Sequence, residues 1–238
     1  MIEIIPTNTC PPDFAELSAR SAFFAGFAEW VQLDISDGVF TAERSWPYLP
    51  AQAGGDGQWA ELESLSGTRK LPSGEQLKYE THMMVEEPQE LGLRLAQAGI
   101  RRIIGHVEAF ADEKEIHAAL DAWRGAGASE VGLAILLDTP LPVLLPLVPS
   151  CNVVQLMSIA TLGKQGAPFE PRVIERIAEL HNEYPDLVIS VDGGVSEKNI
   201  ADLARAGATR FGVGSAITKA ADPKAVYARL KTIAESAL

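Results

Sequence analysis

Short runs of Val, Ile and Leu recur along the chain, and most are followed by a loop and then by a stretch whose apolar residues have helical spacing. This alternation is typical of a parallel α/β fold. Strands are predicted at Glu3–Pro6, Trp30–Ile35, Lys78–Val85, Arg102–Val107, Glu130–Leu136, Val153–Met157, Val188–Asp192 and Arg210–Val213. Helices are predicted at Asp13–Phe27, Pro88–Ala98, Glu113–Ala126, Pro171–Glu183, Ser196–Ala206 and Pro223–Ala237, with a weaker candidate at Leu141–Val148, which contains two prolines.

Eight strand-helix units predict a closed (β/α)8 TIM barrel that occupies residues 1–238 as a single domain. An open doubly wound sheet is the alternative, but it usually has fewer strands and a glycine-rich first turn, which is absent after Pro6. The segment from Trp46 to Leu77 fits the pattern badly, because it offers only a short helical candidate at Gln58–Leu65. A loop of this length is usually functional or mobile.

The second predicted strand alternates apolar and polar residues. Val31, Leu33 and Ile35 occupy one face, whereas Gln32 and Asp34 occupy the other. A half-exposed strand would give the same alternation. In a barrel, however, alternate residues point inward, and the active site lies at the carboxyl ends of the strands. We therefore expect Gln32 and Asp34 to point into the barrel near its mouth.

The same test places two further residues at that mouth. His82 shares a strand face with Glu80 and Met84, and Asp192 ends a strand directly before two glycines. A histidine on a strand is more often a hydrogen-bonded core residue than a ligand, so His82 has two interpretations. Burying Asp34 and Asp192 together without partners would cost several kcal/mol. Their pairing therefore implies a metal ion, a substrate or a shared proton.

Glycines follow the last two strands. Gly193 and Gly194 come after the seventh, and Gly214 and Ser215 come after the eighth. Backbone N–H groups in these loops form the usual phosphate site of such barrels. Each pair alone could serve a plain turn, but both pairs together predict a phosphate cradle.

Composition narrows the classes of ligand. The 238-residue chain is 47% hydrophobic and has a formal net charge of −12, which argues against nucleic acid or anionic membrane as a partner. A small anionic ligand remains compatible with this charge. Two cysteines, Cys10 and Cys151, are too few for a disulfide framework. With no leader-like or membrane-spanning run, we expect a soluble cytoplasmic protein, for which a homo-oligomer is possible.

The motifs resemble those of the ribulose-phosphate 3-epimerase family, in order and through most of the chain. The matching pieces are Leu-Asp-Ile-Ser-Asp-Gly-Val-Phe, Thr-His-Met-Met-Val-Glu-Glu-Pro, Gly-His-Val-Glu-Ala, Gly-Leu-Ala-Ile with Asp-Thr-Pro-Leu, Val-Gln-Leu-Met-Ser, and Val-Asp-Gly-Gly-Val followed by Gly-Val-Gly-Ser-Ala-Ile.

The resemblance implies a phosphorylated pentulose as substrate, from which a proton is removed next to the ketone and returned on the opposite face. The family's two catalytic carboxylates fall on Asp34 and Asp192. The resemblance further implies a divalent metal, such as Zn, Fe, Mn or Co, which the family holds with these two aspartates and two histidines, one of which falls on His82. Two of the methionines that line the family's cavity fall on Met84 and Met157.

Three departures from the family pattern affect these expectations. Gln32 stands where the family has its first metal-binding histidine, and an amide oxygen is a poorer zinc ligand than imidazole, so we expect weak metal binding or none. The first-strand serine motif is replaced, which leaves Asn8 or Thr9 as polar substitutes. The loop that covers the substrate phosphate is changed as well. In that loop, Gly163, Gln165 and Gly166 are candidates for the same role, and Lys164 could add a cation.

Three functions remain open on the sequence. The first is epimerisation of a ketose phosphate at carbon 3. The second is another reaction of a phosphosugar barrel enzyme, such as a hexulose-phosphate epimerase, an aldolase or a decarboxylase. The third is binding of a phosphorylated metabolite without turnover, which Gln32 keeps open and the acid pair argues against.

Overall fold

The computed structural model describes residues 1–48, 60–67, 70–163 and 165–238. Its eight strands are parallel and form a closed barrel in sequence order, so that β1 pairs with both β2 and β8. This confirms the predicted TIM barrel. The strands are β1 Glu3–Asn8, β2 Trp30–Ser36, β3 Lys78–Met84, β4 Arg102–His106, β5 Glu130–Ile135, β6 Val153–Met157, β7 Val188–Asp192 and β8 Arg210–Val213.

The helices surround the barrel, and several begin at an aspartate. Asp13, Asp112 and Asp222 each accept a hydrogen bond from a backbone N–H of the first turn, which satisfies a donor that would otherwise lack a partner. The helices are α1 Phe14–Phe24, α2 Ala60–Leu65, α3 Pro88–Gln97, α4 Glu113–Gly125, α5 Val173–Glu183, α6 Ile200–Arg205, α7 Ser215–Thr218 and α8 Pro223–Glu235.

Some helical predictions differ from the structure. The weak candidate at Leu141–Val148 forms two 3-10 turns, Leu141–Val143 and Leu145–Ser150, because proline cannot donate the backbone bonds of a longer helix. The short helix α7 was not predicted. Of the candidate at Gln58–Leu65, the part from Ala60 is helical, whereas positions 58 and 59 lie outside the described residues.

Strand alternation separates two environments. Outward-facing Val31, Leu33 and Ile35 are fully buried in the hydrophobic layer between barrel and helices, as predicted. Inside the barrel, Ile104 and Ala134 pack with Val153 in a small apolar cluster. This cluster separates two polar ends.

At the amino-terminal end of the barrel, two arginines are buried among three glutamates. Arg210 donates to Glu3 at 2.7 Å, to Glu80 at 3.0 Å and to Glu130 at 2.8 Å. Arg102 donates to Glu3 at 2.8 Å and to Glu130 at 2.9 Å. The face of β3 that carries His82 at the mouth therefore carries Glu80 in an ion network at this end. Across the described ranges, no helix has the length and apolar character needed to cross a membrane.

Candidate active site

A cavity of about 490 Å³, measured with its opening to solvent, lies at the carboxyl ends of the strands. Its lining combines strand ends with the loops that follow them. Predicted site residues in this lining are Asp34, His82, Met84, Met157, Gly163, Gln165, Gly166, Asp192, Gly193, Gly194, Gly214 and Ser215. The structure therefore brings together nearly all the side chains and loops that the sequence singled out.

Gln32 lies directly behind this lining and joins the two acids. Its Nε2 donates to Oδ1 of Asp34 at 2.7 Å and to Oδ2 of Asp192 at 2.9 Å. His82 contacts the same two oxygens, with its Nδ1 3.5 Å from Asp34 and 3.2 Å from Asp192. All four side chains are buried. The predicted convergence of Gln32, Asp34, His82 and Asp192 is present in the structure.

The surroundings push the pKa values of the two carboxyl groups apart. Burial raises the pKa of Asp34, and the charge of Asp192 adds to the rise. Burial also acts to raise the pKa of Asp192, but contact with His82 and the hydrogen bond from Gln32 bring it below its ordinary value. For His82, burial acts to lower the pKa, whereas the adjacent Asp192 and Asp34 carboxylates raise it to about 9.

The same group has the donor set of a divalent metal site. One atom from each of Asp34, His82 and Asp192 lies within 4.8 Å of the others. Two buried atoms here have no hydrogen-bond partner, namely Nδ1 of His82 and Oε1 of Gln32. Three protein ligands with an open position are usual for a catalytic metal. If the Gln32 amide turned over, its oxygen would face the two acids as a fourth ligand. These residues therefore fit a divalent cation.

Part of the cavity lining is glycine backbone. Gly193 and Gly194 have φ angles of 111° and 64°, which L side chains rarely adopt. A Cβ on Gly214 would lie 2.8 Å from the Thr7 hydroxyl and 3.1 Å from the Gln165 amide. A side chain at this point would therefore occupy the space available to an anionic group.

Residues of the loop after β6 line the same cavity. The Gln165 amide donates to Thr9 Oγ1 at 3.0 Å and accepts from Thr218 Oγ1 at 3.0 Å. Lys164 lies outside the described residues. A different cation was missed by sequence reasoning, since the Lys219 ammonium lies 3.9 Å from where a Cβ on Gly166 would be. No sequence pattern marked Lys219, which follows α7 on the surface.

The structure corrects the interpretation of Asn8. Its amide donates to the carbonyl of Leu17 in α1 at 3.3 Å, so its side chain faces the helix layer and not the cavity. Thr7, on the other face of β1, and Thr9, the alternative that the sequence offered just past the strand, line the cavity in its place, and their hydroxyl oxygens are 3.0 Å apart. The reason is strand alternation, which places Thr7 inward and Asn8 outward.

Two further residues contact the site from behind His82. His106 is fully buried at the end of β4, and Glu108 lies in the following 3-10 turn. The sequence signal was the motif Gly-His-Val-Glu-Ala, which matched the family without suggesting a role. The His-x-Glu spacing brings both side chains to the barrel mouth.

Comparisons with known proteins agree with this geometry. A family model described as the ribulose-phosphate 3 epimerase family matches residues 63–218. A ribulose-phosphate 3-epimerase from Candida glabrata is 28% identical over 231 residues, which cover 96% of this chain and 91% of the relative. The cytoplasmic isoform from Oryza sativa subsp. japonica is 30% identical, with 94% and 90% covered. Among solved structures, 3-hexulose-6-phosphate synthase from Salmonella typhimurium has a TM-score of 0.69 at 15% identity, with 100% of each chain covered.

Proposed function

The chain belongs to the ribulose-phosphate 3-epimerase family, and from this membership we propose that it epimerises a phosphorylated ketose, ribulose 5-phosphate, at carbon 3. The observation that carries the proposal is the convergence of Asp34 and Asp192 on one cavity whose lining also includes glycine backbone. The first feature suits proton transfer, and the second suits a phosphate group.

Two-aspartate acid-base chemistry accounts for this reaction. Inversion at a carbon needs one proton acceptor and one proton donor on opposite sides of the planar intermediate. The opposed pKa shifts support a division of roles, because paired groups whose environments separate their pKa values commonly act as acid and base. Asp192, kept ionised, removes the proton, and Asp34 returns one. The roles exchange in the reverse direction.

His82 and Gln32 hold this pair in place. Both contact Oδ1 of Asp34 and Oδ2 of Asp192, so the orientation of each carboxylate is fixed before substrate enters. A divalent cation held by Asp34, His82 and Asp192 would neutralise the negative charge that develops on the enediolate oxygens. Gln32 is expected to make this cation bind more weakly than a second histidine would.

The remaining lining suits the rest of a small sugar phosphate. Met84 and Met157 are buried and carry no exchangeable proton, so they can lie against a reactive intermediate without quenching it. The phosphate would bind the backbone of Gly193, Gly194, Gly214 and Ser215. The loop containing Gly163, Gln165 and Gly166 would cover it.

Two other functions are tested by the same experiment. An aldolase or decarboxylase on a related sugar phosphate would use the same phosphate site, although likeness to 3-hexulose-6-phosphate synthase reflects the fold alone. A non-catalytic binder would use the cavity without turnover.

The experiment is a panel of ketose phosphates followed by proton and phosphorus NMR. Epimerase activity predicts conversion of ribulose 5-phosphate to xylulose 5-phosphate until both are at equilibrium. Carbon–carbon cleavage or loss of carbon dioxide from another member of the panel would replace the proposal with the second function. Saturable binding with no chemical change in any member would favour the third.

A further inference from the structure

A row of polar side chains, two buried imidazoles and then the half-buried Glu108, leads away from the acid pair. Nε2 of His82 lies 2.8 Å from Nε2 of His106, and Nδ1 of His106 lies 3.2 Å from Oε2 of Glu108. Both imidazoles are buried, and the Phe40 ring packs on His106 with its centroid 4.8 Å away. Whether a ring nitrogen in the row carries a hydrogen therefore depends on the atom that it contacts. The proposed reaction gives His106 and Glu108 no role.

The outer end of the row determines the direction of its hydrogen bonds. Oε1 of Glu108 accepts the backbone N–H of Leu136 at 2.8 Å. Burial acts to raise the pKa of Glu108, but its bonds with His106, Thr139 and Leu136 bring it below its usual value. An ionised carboxylate only accepts hydrogen bonds, so Nδ1 of His106 must carry a hydrogen.

The next contact has room for one hydrogen. His106 is fully buried against the Phe40 ring, and such surroundings favour a neutral imidazole with a single hydrogen, which Nδ1 already carries. Its Nε2 is then an acceptor. The 2.8 Å contact between the two rings therefore holds a hydrogen that belongs to Nε2 of His82.

We propose that Glu108 and His106 are positioning residues which hold the hydrogen of His82 on Nε2 and so reserve its Nδ1 for a metal ion between Asp34 and Asp192. Nδ1 lies 3.2 Å from Oδ2 of Asp192 and 3.5 Å from Oδ1 of Asp34, so a cation between the two acids would meet this atom. The inference rests on the metal site of the proposed function. Beyond that site, the inference identifies Nδ1 as the atom of His82 that binds the cation, and Glu108 and His106 as the residues that select this atom.

The expected effect of this row is on metal affinity. A histidine ligand whose other N–H is held by a partner keeps its ring orientation and its tautomer, and loss of such a partner commonly costs 10–100-fold in affinity. In this chain the partner acts through a second imidazole. A substitution of Glu108 should therefore change the tautomer of His82 and lower its metal affinity, although two hydrogen bonds separate the two residues.

Glu108→Gln should reverse the direction of each hydrogen bond in the row, with little change in the shape of the side chain. The Gln oxygen must accept the Leu136 N–H, because only an acceptor can replace Oε1 there. The amide NH2 is then directed at Nδ1 of His106, which becomes an acceptor. The hydrogen of His106 then lies on Nε2 and points at Nε2 of His82, which must accept it. His82 is left with a single hydrogen on Nδ1, which a neutral imidazole does not release to a cation.

Two measurements test this, and neither needs turnover. Zn²⁺ affinity is determined by competition with a chromophoric chelator for the parent, Glu108→Gln and Glu113→Gln. Glu113 is an exposed glutamate in the first turn of α4, so this control removes the same charge without touching the row. The tautomer of His106 is read by nitrogen-15 NMR of metal-free protein labelled at its four histidines.

The proposal predicts a hydrogen on Nδ1 of His106 in the parent and on Nε2 in Glu108→Gln. It also predicts a 10–100-fold loss of Zn²⁺ affinity in Glu108→Gln, with parent affinity in Glu113→Gln. A hydrogen on Nε2 of His106 in the parent would overturn it even if the variant failed to fold. Unchanged affinity in a folded Glu108→Gln protein would overturn it while leaving the metal site intact, whereas a parent that binds no Zn²⁺ would remove the metal site as well.

Discussion

The amide nitrogen of Gln32 lies 2.9 Å from a carboxylate oxygen of Asp192, a residue 160 positions further along the chain. The same nitrogen lies 2.7 Å from Asp34. One neutral side chain therefore crosslinks the two candidate proton-transfer groups at the position where the family resemblance implies a metal-binding histidine. The chemistry of the site depends on whether this amide shares the space with a cation.

Gln32→His should tighten metal binding by at least about tenfold, because imidazole is a better ligand than an amide oxygen. We expect parent activity to fall on chelation and to return when metal is added. Metal analysis and activity before and after chelator treatment, in parent and variant, check both points. Parent activity that survives rigorous chelation would show that Gln32 replaces the cation.

The pKa of His82 predicts that metal binding depends on pH. Because the carboxylates of Asp192 and Asp34 raise this pKa to about 9 against the effect of burial, the ring in metal-free protein carries a second proton at neutral pH. This proton is on Nδ1, besides the one on Nε2, and a cation must displace it. Apparent affinity should therefore rise about tenfold per pH unit between pH 6 and 8. Chelator competition at three pH values measures the slope. An affinity that does not change with pH would contradict it.

The same shift affects stability in the absence of metal. A histidine whose pKa is raised on folding contributes stability that is complete below its unfolded pKa of about 6.5 and is lost as the pH rises through about 9. Thermal unfolding of metal-free parent and His82→Gln proteins should therefore differ most below pH 6.5 and converge above pH 9. An equal difference across this range would rule out the linkage.

Ser215→Asp tests the phosphate end of the cavity. Ser215 lines the cavity beside Gly214, and a carboxylate there should repel a phosphate. We expect KM to rise by about tenfold or more, which corresponds to about 1.4 kcal/mol. Gly214 is less suitable, since a Cβ there would lie 2.8 Å from the Thr7 hydroxyl. Ser129→Asp adds the same charge at an exposed position before β5, and its KM should match the parent. If both variants kept the parent KM, the phosphate would bind elsewhere.

Arg210→Met tests the ion network at the other end of the barrel. Arg210 is 2% exposed and contacts three glutamates. Removal of one member of a buried charge network costs about 3–5 kcal/mol, because its partners remain buried without compensation. Urea unfolding should show this loss, whereas Arg229→Met, which breaks an exposed pair with Glu197, should cost under about 1 kcal/mol. Equal effects would mean that solvent screens the buried network.

Much of the fold and the site could be predicted from two periodicities. Eight apolar runs separated by helical segments predicted the closed barrel, and alternation within β2 and β3 placed Gln32, Asp34 and His82 inside it. Alternation failed at Asn8 only because β1 continues to that residue, two positions past its predicted end at Pro6. With the correct end, Thr7 and not Asn8 faces inward.

The missed residues required contacts that no local pattern encodes. His106 acts on His82 across neighbouring strands, and their contact depends on the register in which His82 pairs with Ile104. Lys219 lies near Gly166 although it occupies a surface position after α7. A lysine at such a position gives no sign in the sequence that it lies near a cavity. The hydrogen bonds from Gln32 to Asp34 and Asp192 could not be predicted either. Strand alternation shows that a polar residue points inward, but it does not show which side chains that residue contacts.

NMR of ribulose 5-phosphate incubated with the protein in D2O follows the proton at carbon 3 that Asp34 and Asp192 are proposed to exchange. The parent should introduce deuterium at carbon 3 of both ribulose 5-phosphate and xylulose 5-phosphate as the two equilibrate. Asp34→Asn and Asp192→Asn should each abolish formation of the epimer, and at most one of them should still exchange the proton of the substrate, because a single face remains served. Full epimerisation by either variant, or a parent that leaves the carbon 3 hydrogen in place, would contradict the account.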